Sequence, residues 1–177
     1  KAFGWERYIS PEEAAAMRRA RATKYEKVTL SDGSTLYQAE PEPLEHLPDT
    51  PPELRKRIDE TMARMLDFTL RGPENSRAMR ELIEIGRPAL PALLTGLYAT
   101  PITDIESATK VNLIDQALQG ITGEYMGYKP DPGLGVSEER RGAAVKAWFA
   151  WWWRKGERRF EERKEGADLL EEMIEPT

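Results

Sequence analysis

The residues able to do chemistry are few and scattered. His46 is the only histidine and there is no cysteine, so thiol catalysis, disulfides and cysteine-held metals are excluded. His46 lies in EPEPLEHLPDTPPE (40–53). No nucleophile elbow stands elsewhere to complete a triad with it, and no second histidine to share a metal. It reads as a solvated loop histidine. Carboxylates are plentiful, but the neighbours Glu12-Glu13, Glu138-Glu139 and Glu171-Glu172 do not face each other on a helix. They read as favourable charge at helix starts or as solvated faces. Asp131 and Glu124, in GEYMGYKPDPGLG (123–135), lack the alternating run of oxygen ligands that calcium needs. The Gly-Leu-Gly of that loop has no strand before it and no further glycine, so it is not a dinucleotide fingerprint. No catalytic residue, cofactor or metal site is assigned.

The remaining cluster is aromatic. WFAWWW (148–153) places four tryptophans and a phenylalanine together. On a helical wheel with Val145 at zero, Trp148, Phe149 and Trp152 fall within about 60° of it, on one inward face. Trp153 and Trp151 flank that face, and the whole arc spans roughly 200°, wider than one neighbouring helix covers. The expectation is a packed core for Trp148, Phe149 and Trp152, with at least one of Trp151 and Trp153 partly exposed. Exposed tryptophan suits an interface anchor. It also suits a sugar or base platform, but that needs companion polar groups, and none is located.

These side chains must be held by helices. Ser10, Pro11 and Glu13 open a short helix to about Thr23. Val28, Leu30, Asp32-Gly33 and Leu36 signal a β-hairpin within 27–38. The proline-rich stretch 40–53 predicts an extended linker. Beyond it the period is helical. Leu54, Ile58, Met62, Met65 and Thr69 share a face, ended by Gly72-Pro73. A second helix, 76–85, turns Met79, Leu82 and Ile83 inward. A third carries Leu90, Leu93, Leu94 and Leu97. A fourth, capped by Thr103 or Asp104, carries Val111, Ile114, Leu118 and Ile121. A fifth runs from Ser137 or Glu138 through the tryptophans to Lys155. A charged sixth occupies about 157–174, its apolar residues Leu169, Leu170, Met173 and Ile174 docking either on the tryptophan helix or on another chain. The fold class is all-α with a small N-terminal hairpin. The expected organisation is an arm (1–53), a helical domain (54–156) and a C-terminal helix (157–177).

At IGRPALPALLTGL (85–97) the chain resembles the junction of a HEAT-like repeat, in which a helix ending in Ile-Gly is followed by Ala-Leu-Pro and a leucine-striped helix. A second block, ITGEYMGYKPDPG (121–133) with AVKAWFAWWWRKG (144–156), resembles a C-terminal block of bacterial HEAT-like proteins. Thr122, Gly123, Gly127, Tyr128, Trp148, Trp151 and Trp152 stand in its characteristic places, while Lys129 stands where an acid is expected. The resemblance covers about 54–155. It implies an α-solenoid-type scaffold used mainly for protein–protein contact.

Bulk properties agree with a protein partner. The 177 residues carry 26 basic and 31 acidic side chains, a net charge of −5. That is a poor basis for binding nucleic acid. The most basic run, RRARATKYEK (18–27), reads as a solvated helix face. No apolar stretch is long enough to cross a membrane. The sequence opens at Lys1, and removal of an upstream segment would place the chain outside the cytoplasm, in a periplasm, which is favoured over a cytoplasmic location. The expected function is a non-enzymatic scaffold or structural subunit whose partners are other protein subunits. Trp151, Trp153, Tyr125, Tyr128, Leu169, Leu170 and Met173 are the candidate contacts. The alternative is a carbohydrate-type ligand module built on the tryptophan helix with Tyr125 and Tyr128; a hydrolase is a distant third.

Overall fold

Ser10 starts the first helix. Its hydroxyl accepts from the Glu13 amide at 3.1 Å, Pro11 fills the first turn, and α1 runs Pro11–Ala22. The structure, a computed structural model, describes residues 10–126 and 138–156. It is all-α apart from one antiparallel hairpin, β1 (Tyr25–Thr29) and β2 (Thr35–Ala39). Val28 lies opposite Leu36, and the turn closes at Asp32-Gly33, where the Asp32 carboxylate accepts from the Ser34 amide at 2.9 Å. The helices that follow are α2 (Pro52–Leu66), α3 (Glu74–Ile85), α4 (Leu90–Ala99), α5 (Ile105–Thr122) and α6 (Glu138–Trp151). A single turn of π-helix, Trp152–Gly156, continues α6. None of the described helices is long and apolar enough to cross a membrane.

The chain divides into two compact units, and the division falls inside α6. The proline-rich segment from Pro41 belongs with α2 to α5 and the start of α6, whereas α1 and the hairpin belong with the tryptophan end of α6.

In the first unit α2 packs on α3, α3 on α5, and α4 on α5. Ile58, Met65, Leu82, Leu93, Leu94, Leu97, Val111, Ile114 and Leu118 are buried to 1% exposure or less, so the leucine stripe of α4 faces the core as its spacing requires. Elsewhere the periodicity misleads. Helix α2 ends at Leu66, not at Gly72-Pro73. Asp67 takes the chain out of the helix by accepting from the Thr69 amide at 3.0 Å. The Asn75 amide group then donates to the carbonyls of Arg64, Met65 and Asp67 at 3.0, 3.1 and 2.8 Å, which satisfies a helix end that has no glycine. Thr69 is consequently exposed, and Thr61 is buried in α2 instead. Helix α3 starts at Glu74 and buries Ala78 and Leu82, leaving Met79 and Ile83 half-buried. Helix α5 passes through Gly120 to Thr122. A Cβ on Gly120 would lie 2.7 Å from Ile83 Cδ1, so glycine there allows α3 and α5 to approach.

In the second unit α1 packs on β1 and on the π-helical turn. Trp148 and Phe149 are fully buried, and Trp151 and Trp152 are each 4% exposed.

Candidate functional site

The tryptophans are used internally. Trp148 meets Trp151 edge to face, centroids 5.7 Å apart and rings at 84°, the geometry favoured by the ring quadrupoles. Beyond them Gly156 returns against the aromatic surface: a Cβ there would lie 2.7 Å from Trp152 Cε3 and 2.9 Å from Trp151 Cζ3. The turn between α1 and β1, and the hairpin itself, supply cation–π partners. The Lys24 ammonium lies 5.4 Å from the Trp153 ring centroid, and the Arg154 guanidinium lies 3.4 Å from that of Tyr37. Tyr37 in turn meets Tyr25 edge to face at 6.0 Å. The basic run 18–27 is therefore not wholly solvated, because Arg21 is also buried, at 5% exposure.

This settles where the aromatic candidates stand. Trp151 is buried, a correction to its choice as an exposed partner contact: Trp148 and Gly156 cover it. Trp153 is half-buried beneath Lys24. The indole nitrogens of both Trp151 and Trp153 are buried without a hydrogen-bond partner. Tyr125 is 52% exposed. Tyr128, Leu169, Leu170 and Met173 lie outside the described residues, as does Asp131.

The structure adds a surface that the sequence reading missed, at the turn between α4 and α5. Its backbone is fixed from both sides. Arg141 of α6, 8% exposed, donates through Nη1 to the carbonyls of Leu97 at 2.7 Å and Tyr98 at 3.3 Å. Its Nε bonds both Glu138 oxygens at 3.0 and 2.9 Å, and Nη2 completes a fork on the same carboxylate. Glu138 also accepts from the Ile102 amide at 2.6 Å. On the α5 side a reciprocal capping box closes. The Ser107 amide donates to Asp104 Oδ1 at 2.7 Å, and the Ser107 hydroxyl accepts from the Asp104 and Thr103 amides at 3.0 and 2.9 Å. The Ser107 amide and hydroxyl hold the Asp104 carboxyl below the usual carboxylate range.

From this frame Tyr98 and Ile105 project, 40% and 86% exposed. Ile105 lies about 180° around α5 from Ile114, on the face opposite the buried stripe. That offset is the signal by which the sequence could have revealed it. The arrangement can present apolar surface to another molecule.

Glu138 carries a pH signature. Its bond to the Arg141 guanidinium, followed by that from the Ile102 amide, holds its pKa below the ordinary value near 4.5. A carboxylate lowered on folding stabilises fully above its unfolded pKa, and that contribution is lost as pH falls through the lower folded value. The stability gap between wild type and Glu138→Gln is therefore constant at neutral pH and closes as pH drops below that ordinary value. Urea midpoints measured over a pH series check this; a gap independent of pH contradicts it.

His46 also departs from expectation. It is not a solvated loop residue, since its side chain is 19% exposed and its Nε2 lies 2.9 Å from Asp59 Oδ1 of α2. The proline-rich segment around it is pinned rather than free. The Leu44 amide donates to Thr95 Oγ1 of α4 at 2.9 Å. Arg55 donates to the carbonyls of Thr50 at 2.8 Å and of Pro48 and Leu47 at 3.3 and 3.4 Å. Among the described residues no group of three acidic or imidazole side chains could hold a metal ion.

Compared with protein-family models, with curated proteins and with solved structures, the chain matches none of them.

Proposed function

We propose that this chain is a non-enzymatic scaffold or structural subunit, a HEAT-like helical array whose surface holds other proteins of a larger assembly. The observation that carries the reading is Ile105, 86% exposed at the first position of a helix whose start is fixed by a capping box. A single exposed apolar residue is ordinary. Here it stands on a backbone that two sets of hydrogen bonds immobilise, with Tyr98 on the other side of the same turn. Such preorganisation lowers the entropy lost when a partner is bound, and aromatic and aliphatic anchors carry most of the energy of protein interfaces. The carbohydrate-type alternative draws little support from the tryptophan helix. A stacking platform needs a free aromatic face, and Trp151 and Trp152 are buried while Trp153 has Lys24 over its ring.

The test is retention of a partner from an extract of the source organism by the full chain and by Ile105→Asp. A charge at the centre of an interface costs about 2 kcal/mol or more, roughly a thirty-fold loss of affinity. A stoichiometric partner retained by the wild type should therefore be lost by the variant at unchanged thermal stability. Equal retention by both removes Ile105 from the interface.

A further inference from the structure

The hairpin of the second unit has an unpaired edge. The Leu30 amide donates to the Ser34 carbonyl at 2.8 Å and the Gly33 amide to the Leu30 carbonyl at 3.0 Å, which closes the turn. Bonded and non-bonded pairs alternate along an antiparallel ladder, so Val28–Leu36 and Glu26–Gln38 are the bonded pairs of this register. The amides and carbonyls of Tyr25, Lys27 and Thr29 therefore point away from β2, and those of Thr35, Tyr37 and Ala39 point away from β1. Among the described residues none of these outward groups has a hydrogen-bond partner. The two edges differ in access. On β2, Ala39 is 5% exposed and the Tyr37 ring lies under the Arg154 guanidinium. On β1, Lys27 and Thr29 are exposed.

The side chains along β1 select what fits beside it. One face of the hairpin carries Val28 and Leu36, both half-buried, and Leu30, 43% exposed. Glu26 and Lys27 are exposed on opposite faces, and neither has an ion-pair partner among the described residues. Across an added strand unlike charges attract and like charges repel. A second copy of this chain is a poor occupant. Pairing two β1 strands through their outward groups sets Lys27 against Tyr25, Thr29 or a second Lys27, never against Glu26, which points to the other face. A lysine at the centre of an edge also discourages self-pairing. A different sequence satisfies every position: an apolar residue opposite Val28, which Leu36 flanks on the other side, an acid opposite Lys27 and a base opposite Glu26.

We propose that β1 is a docking edge for an extended segment of a different protein, which adds to the hairpin as a third, antiparallel strand. Backbone bonds to Lys27 and Thr29 fix its register. The order apolar, acid, base opposite Val28, Lys27 and Glu26 selects the partner. This surface lies in the second unit and does not depend on the scaffold reading, which rests on the α4–α5 turn.

The test uses the full chain with the end-blocked peptide Leu-Thr-Ile-Glu-Lys-Thr, followed in a nitrogen–proton correlation spectrum. Two further peptides serve for comparison. One has lysine in place of the glutamate; the other is methylated on the glutamate amide nitrogen, which would face the Lys27 carbonyl. The expected result is a saturable shift of the amide signals across 25–30 at millimolar peptide, with slowed exchange of the Lys27 and Thr29 amides. The lysine peptide should bind about three-fold more weakly, and the methylated peptide should not bind. Lys27→Glu should reverse the preference between the two charged peptides. Lys27 is exposed, so this variant is expected to keep the wild-type tryptophan indole signals. No saturable shift overturns the proposal, as does equal binding of the methylated peptide or a preference that Lys27→Glu leaves in place. Self-association through 25–29 without peptide does so too, because it gives the edge to a second copy.

Discussion

Replacing Trp148 by alanine is expected to lower stability by about 3–5 kcal/mol, the range for truncating a buried aromatic side chain. Trp148 has 0% exposure, and its edge-to-face contact with Trp151 at 5.7 Å adds about 0.5–1.5 kcal/mol beyond burial alone. Trp151 and Trp152 are themselves closely packed, since a Cβ on Gly156 would lie 2.7 Å from the Trp152 ring and 2.9 Å from that of Trp151. Trp148→Phe keeps part of the volume and should lose roughly half as much. Urea unfolding followed by far-ultraviolet circular dichroism measures both, and near-ultraviolet dichroism reports the lost ring pair. A loss under about 1 kcal/mol in the alanine variant would mean that the aromatic cluster is not the core of the unit containing α1 and the hairpin.

Arg141→Ala is expected to cost about 2–3 kcal/mol by loss of charge-assisted hydrogen bonds. Helix α4 ends at Ala99 with Thr100 at its C-cap. The Nη1 group of Arg141, 2.7 Å from the Leu97 carbonyl, supplies a donor that a C-terminal glycine motif would otherwise provide. Alanine leaves that carbonyl unpaired and frees the Glu138 carboxylate. Arg141→Lys keeps the charge but not the planar fork, so it should recover less than half of the loss. The same variants bear on function, because this guanidinium fixes the backbone from which Tyr98 projects. Amide hydrogen exchange should accelerate across 98–104 in Arg141→Ala and remain unchanged in α1. If Arg141→Lys is as stable as the wild type, the fork is not what holds the turn.

How much of this was legible beforehand can be argued residue by residue. Leu90, Leu93, Leu94 and Leu97 announced α4 because a single buried face is a local, periodic property. Ser10-Pro11 and Asp32-Gly33 announced a helix start and a hairpin turn because caps and turns depend on adjacent residues. The end of α2 was hidden because it depends on Asn75, which folds back from the next helix onto three carbonyls. Nothing local in EERR (138–141) marks Arg141 for burial, which depends on where α4 ends. His46 meets Asp59 from thirteen residues away, and the segment between them gives no sign of the contact. The wheel placed Trp148, Phe149 and Trp152 inward. It could not say that residues near the start of the chain would lie over Trp153, because no periodicity links positions 24 and 153. Ile105 was visible as an apolar residue off the α5 stripe, yet its significance needed the rigid turn around it.

The most direct test of the scaffold account is site-specific photo-crosslinking in the source organism. A photoreactive amino acid is placed at position 105, and in a second strain at position 56, where the lysine side chain is 78% exposed on α2. The account predicts one dominant cross-linked protein of defined mass from position 105, absent from position 56 and reduced when Tyr98 is also changed to Asp. No cross-link from position 105, or the same diffuse products from both positions, would contradict it.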